Sequence, residues 1–160
     1  MRMLERTDTI WPLGRLNRTL DSMTYLTNLE QLAHEMGVRV RYAPPLPGTM
    51  WGVYEHRFRF ITLRPGMGMP QLVTTFTHEL GHAHFGHSGH HPKTERAANR
   101  WAARKLLTVD LLKEHSVASA DTMSVAASLG VLPSVVEAFI DTLSMGQIVD
   151  LMNYMAELHT

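Results

Sequence analysis

The sequence has 160 residues, the usual size of one domain, and a chain of that length buries roughly two-thirds of the surface it exposes when unfolded. Leu, Ile, Val and Phe supply 40 of the 160 residues, too apolar for a disordered chain, and the absence of Cys excludes both a disulfide scaffold and a thiolate zinc site. Fifteen basic side chains balance fifteen acidic ones, so the whole molecule projects no strong field toward nucleic acid or an acidic membrane. No run of 18 apolar residues occurs, and residues 1–30 contain no apolar stretch followed by small residues. We therefore expect neither a membrane span nor a signal peptide, and a cytoplasmic protein.

In chain order, Leu16, Leu20, Met23, Leu26, Leu29, Ala33 and Met36 recur every three or four positions, with Gly37 as a stop. This pattern predicts an amphipathic helix. Val38–Tyr42 is β-prone and runs into the breaker Pro44-Pro45-Leu46-Pro47-Gly48. Trp51–Tyr54 and Arg57–Leu63 read as two strands around a tight turn at Glu55-His56. A Pro/Gly loop over Arg64–Pro70 precedes a helix from about Gln71 to His87, and Ser88–Lys93 reads as a loop. Thr94 suits the N-cap of a helix reaching about Leu107. From Val109 we expect three or four short helices, with caps near Asp121 and Ser134 and breaks at Gly130, Pro133 and Gly146. A helix, a small sheet and then helices only is an α+β arrangement.

His78-Glu79-Leu80-Gly81-His82 is a HExxH sequence within a predicted helix. Residues four apart lie about 40° apart around a helix, one turn on, so both imidazoles reach one metal ion. Glu79, about 60° from His82, stands beside the metal and can accept a proton from water. Val73, Phe76 and Leu80 fall about 160–220° from His78, which gives this helix one packed side and one open side. Imidazole and carboxylate ligands without redox chemistry point to zinc, one ion per chain.

A hydrolytic zinc takes a third protein ligand. His84 and His87 point away while the helix lasts, and Ser88 occupies the last position of an extended HExxHxxGxxH pattern. His90 and His91, on a Gly/Pro loop, stay open as alternatives. Glu95 fits better. Ala98, Asn99, Ala102 and Leu106 share its face, and the alanines allow close approach to Gly81, bringing the Glu95 carboxylate to the two imidazoles. Asn99 can accept a hydrogen bond from the outer N–H of a ligand His.

Thr77-His-Glu-Leu-Gly-His82, followed by Glu95-x-x-Ala-Asn-x-Trp-Ala-Ala103 and Leu106-Leu107, resembles the ImmA/IrrE metallo-endopeptidases of bacteria, phages and mobile elements. The likeness extends over roughly Trp51–Thr108. It implies a zincin-like small β-sheet with an HExxH active-site helix and a mainly helical C-terminal part. It also implies zinc on His78, His82 and Glu95, with Glu79 catalytic, and a helix-turn-helix repressor as the substrate, cleaved in the bacterial host cell. Two departures stand out: Ala97 where a second acid is common, and Trp101 in place of Phe. The first leaves Glu95 as the acid available there.

Residues 1–116 carry net +5, whereas residues 117–160 carry five acids and neither Lys nor Arg. We accordingly divide one metallopeptidase domain into a helix, sheet and zinc-site portion, 1–116, and an acidic helical subdomain, 117–160. Val125–Val131 with Val135 and Val136 resembles the first half of a helix-turn-helix. A segment without cations cannot neutralise phosphates, so no direct DNA binding is expected. The competing reading is a non-catalytic, metal-stabilised regulator that binds a partner protein.

Overall fold

Helix α1 (Leu20–Glu35) leads into strand β1 (Arg39–Tyr42), followed by β2 (Gly52–Glu55) and β3 (Phe60–Leu63). The computed structural model describes residues 20–43, 46–116 and 121–158. The first four residues of the expected N-terminal helix, and the Pro44-Pro45 pair, lie outside them. Helix α1 buries Leu29 and Ala33 as its spacing requires and adds Tyr25, while Met23 stays exposed. Gly37, at φ 67°, ends it in the left-handed conformation that glycine adopts without strain.

The strand order is β1-β3-β2. β1 runs parallel to β3 and β2 antiparallel to it, with Arg39 opposite Phe60 and Gly52 opposite Leu63. Ile61 and Leu63 face the core and are fully buried. The expected Arg57–Leu63 strand is shorter than its alternation suggests. Residues His56–Phe58 form a 3-10 turn, and Arg59 adopts the left-handed conformation at φ 49°. Its guanidinium bonds the carbonyls of Met36 and Gly37, which offsets the roughly 1–2 kcal/mol that a side chain costs in this region. On the outer face, the guanidinium groups of Arg39 and Arg41 both lie over the Phe60 ring, at 5.0 and 4.8 Å from its centre.

Helices α2 (Met69–Phe85) and α3 (Pro92–Leu106) follow, then α4 (Val109–Ser116), α5 (Thr122–Leu129), α6 (Pro133–Ile140) and α7 (Met145–Glu157). The structure is thus α+β, with a mainly helical remainder. Helix α2 starts two residues earlier than expected and ends at Gly86, φ 67°. Helix α3 also starts early. His91 occupies its N-cap position and Pro92 its first turn, so Thr94 sits inside the helix, where its hydroxyl accepts the His91 N–H at 3.0 Å. A proline is preorganised for a first helical turn and needs no N–H there, which moves the boundary.

Asp121 caps α5 as expected, accepting the Ser124 N–H at 3.0 Å. Ser134 is not a cap, because Pro133 opens α6 and Leu132 precedes it. Gly146 does not break the chain either. Ser144 and Gln147 form a reciprocal capping box, and Gly146 lies within α7. Helices α5 and α6 meet at 107°, and both bury their apolar residues in the core that α2 and the sheet share. Among the described residues, no single helix is long and apolar enough to cross a membrane.

Val73, Phe76 and Leu80 fill the buried side of α2, with Phe76 and Leu80 entirely shielded. Phe76→Ala removes an aromatic ring from a close-packed interior and should cost about 3–5 kcal/mol. Chemical denaturation of the metal-free protein reads this directly, and a loss below about 1 kcal/mol would contradict the packing described here.

Candidate metal centre

Gly81 sets the geometry. A Cβ at this position would stand 3.0 Å from the Ala98 carbonyl oxygen and 3.1 Å from its Cα. The backbones of α2 and α3 therefore touch where each carries its smallest residues. That contact brings the first turn of α3, bearing Glu95, beside the HExxH turn of α2.

Three candidate ligand side chains converge there. His78 Nε2 and His82 Nε2 are 3.0 Å apart, Glu95 Oε2 lies 3.2 Å from the first and Glu95 Oε1 3.2 Å from the second. Around a tetrahedral ion with bonds of about 2.0–2.1 Å, ligand atoms stand about 3.3–3.4 Å apart, so the cluster needs only a few tenths of an ångström to admit one. Both rings have further partners. The Asn99 side chain hydrogen-bonds His78, and His87 Nδ1 lies 3.0 Å from His82 Nδ1. A proton on Nδ1 of each ring would leave each Nε2 lone pair for a cation. Such a donor set asks for a cation at its centre.

The electrostatics agree. Burial pushes His82 down to about 4, helped by the neighbouring His78, and burial likewise lowers His78 against the opposing pull of Glu95. Both imidazoles are therefore neutral, the form that binds metal, at neutral pH. Burial works to raise Glu95, but the hydrogen bond from His90 leads the contributions that outweigh it and hold the carboxyl below its usual range. Glu95 is ionised.

Glu79 lies beside this cluster and is 4% exposed, so burial raises its pKa to about 7. The backbone N–H of Tyr54 donates to its carboxylate, yet Oε2 is buried without a partner. A buried carboxylate oxygen is costly to leave without a donor. Gly52 makes the room for this side chain. A Cβ there would lie 2.7 Å from Thr75 Cγ2 and 3.1 Å from Glu79 Cγ.

The residues named from the sequence thus come together: His78, His82 and Glu95 as a ligand group, Glu79 beside it and Asn99 on His78. Of the other histidines, His90 stays at the cluster, its Nδ1 2.9 Å from Glu95 Oε1 and its ring centre 5.7 Å from that of His82, whereas His91 occupies the N-cap of α3. His84 stacks on Trp101 at 5.2 Å, so the departure at Trp101 supplies a seat for that ring. Sequence reasoning missed the Tyr54 N–H on Glu79 and the Gly52 cradle; the Trp-Gly pair opening β2 was the available signal.

Residues 33–141 match the family described as IrrE N-terminal-like domain, a family of peptidases. The chain belongs to this family. Neither the curated proteins nor the solved structures contain a match. The family and the ligand group together define a metallopeptidase-type site.

Gly81→Ala tests the helix contact. Alanine gains about 1 kcal/mol in helix propensity, but overpacking against backbone that cannot rotate aside costs about 1–3 kcal/mol. We expect a lower melting temperature and, because α3 carries Glu95, weaker metal binding. A variant with unchanged metal affinity would show that close contact at Gly81 does not set the geometry of the group.

Proposed function

We propose that this protein is a zinc-dependent endopeptidase of the bacterial cytoplasm, a single domain acting on a protein substrate, with a helix-turn-helix repressor of a phage or mobile element as its target. The observation that carries the reading is the convergence of two imidazole nitrogens, 3.0 Å apart, with a Glu95 carboxylate whose two oxygens each lie 3.2 Å from one of them, beside the unpartnered Oε2 of Glu79. His78, His82 and Glu95 would hold the ion. When bound, zinc supplies Lewis acidity, polarising a carbonyl and acidifying a water molecule.

The chain supplies the proton transfers. Glu79 Oε2 takes the proton of the attacking water as the new C–O bond forms, then gives it to the departing amine as the C–N bond breaks, leaving a carboxylate and an amine. Its carboxyl, raised to about 7 by burial, is matched to a proton that must be taken and returned near neutral pH. A cation on the adjacent ligands favours the ionised form needed first. The Tyr54 N–H fixes one oxygen and leaves the other to act.

An extended substrate needs an edge strand. Within the Trp51–Leu63 stretch only β2 offers one, because β3 lies between β1 and β2. Trp51 turns its carbonyl toward β3, to Arg64 N, so the backbone groups of Gly52 and Tyr54 face outward. The Tyr54 N–H serves Glu79, which leaves Gly52 to pair with substrate next to the metal ligands.

Glu79→Gln should retain zinc and fold while losing about 10²–10⁴-fold in turnover, since Glu79 is a base and not a ligand. His78→Ala, His82→Ala and Glu95→Ala should instead lose zinc. Co-expression with a neighbouring helix-turn-helix repressor, scored for a discrete fragment, measures the activity. Full biological effect from Glu79→Gln would replace the peptidase by a partner-binding regulator.

Helix α6, placed where a recognition helix would follow α5, packs instead against α3. Arg100 and Arg104 of α3 reach Asp141 O and Thr142 Oγ1 beyond its end. With no Lys or Arg after residue 116, the protein should show no salt-sensitive affinity for duplex DNA. Submicromolar binding that falls steeply with added salt and depends on Val125–Val136 would overturn this.

A further inference from the structure

Six residues, 86–91, join the C-terminus of α2 to the start of α3. They form more than a link. Gly86 at φ 67° turns the chain back over the last turn of α2. Two bonds close the turn, from Gly86 N–H to Ala83 O at 3.3 Å and from His87 N–H to His82 O at 3.0 Å. The second joins His87 to the very residue whose ring it meets. His87 Nδ1 lies 3.0 Å from His82 Nδ1, with ring centres 5.1 Å apart at 70°. On its other side the His87 ring stacks on Phe85 at 5.3 Å.

If His82 directs Nε2 at a metal, its proton is on Nδ1, and only an acceptor can face that nitrogen. His87 must then present the Nδ1 lone pair and carry its own proton on Nε2. We infer that His87 is the positioning residue of the metal centre: through the α2 cap it fixes the tautomer and ring plane of His82. The more usual partner of a ligating imidazole is a carboxylate or a backbone carbonyl. Here a second imidazole takes that place, and it comes from the helix cap rather than from a separate element. The pattern is a ligand His followed by Gly at the fourth position and His at the fifth.

This inference rests on the metal-centre reading, and one experiment separates their failures. Zinc affinity is measured by competition with a chromogenic chelator for wild type, His87→Ala, His87→Leu and His87→Asn. The Nδ1–H proton of His82 is followed by NMR in the zinc-loaded proteins. His87→Ala and His87→Leu should weaken zinc binding by about 10–100-fold and release the His82 Nδ1–H to fast exchange with water. His87→Asn, which restores an acceptor oxygen, should recover most of the affinity and the protected proton. A merely structural role would be served as well by Leu as by Asn. Affinity within about threefold of wild type in both His87→Ala and His87→Leu, or equal behaviour of Asn and Leu, would overturn the inference and leave the metal site standing. Wild type that binds no zinc would instead remove the metal-centre reading itself. If His87→Ala fails to fold, the comparison of Asn with Leu decides.

Discussion

The contact on which the site depends is backbone against backbone, where Gly81 of α2 meets Ala98 of α3. The candidate ligand group draws on two helices, and a carboxylate reaches an imidazole across a helix pair only when the axes come close. Any side chain larger than hydrogen at Gly81 would hold the helices apart. Everything else in the centre builds on that approach: the sheet shields Glu79 from one side, and Asn99 of α3 reaches His78 because the same turn of helix passes by. The buried side of α2, with Phe76 and Leu80, is the opposite wall that keeps the helix from rolling.

Burial then gives each ionisable group its state. The two candidate ligand imidazoles are kept neutral by desolvation, while Glu95, partly open to solvent, stays charged with the hydrogen bond from His90. Glu79 is shielded and poised between states. For stability the buried groups oppose one another as pH falls below 7. His82 resists the protons that the unfolded chain would bind, which destabilises the fold. Glu79 binds its proton earlier than it would unfolded, which stabilises it. His78 and Glu95, also held below their usual ranges, act in the same direction as His82, so Glu79 alone among these groups opposes the loss of stability in acid.

Local spacing made much of this legible from sequence. The HExxH helix, its apolar stripe and the approach of Ala98 to Gly81 follow from periods of three and four residues, and the Asp121 cap from residue type. What escaped depends on distant chain segments. Arg59 leaves the β conformation because its guanidinium reaches the carbonyls of Met36 and Gly37, 23 and 22 positions earlier. β2 is an edge because β1 pairs with β3, a choice of topology that no local pattern carries. His91 and Pro92 outcompete Thr94 at the start of α3, although Pro92 was visible and could have moved the boundary. Of the surplus histidines, the helical angle turned His84 and His87 away from His78 and His82; it could not show that the Gly86 turn would swing His87 onto His82.

The shortness of the α2–α3 connection bears on how the protein folds. His78 and Glu95 are 17 positions apart, and closing so small a loop costs little chain entropy. The ligand cluster is thus a local structure in the sense of contact order, formed within one helical hairpin whose residues meet early and often. The later helices α5 and α6 must travel much farther along the chain to brace α3, and a metal ion present during synthesis would find its donors before they arrive. Binding energy harvested at that stage would stabilise the hairpin against reopening while the rest of the core assembles.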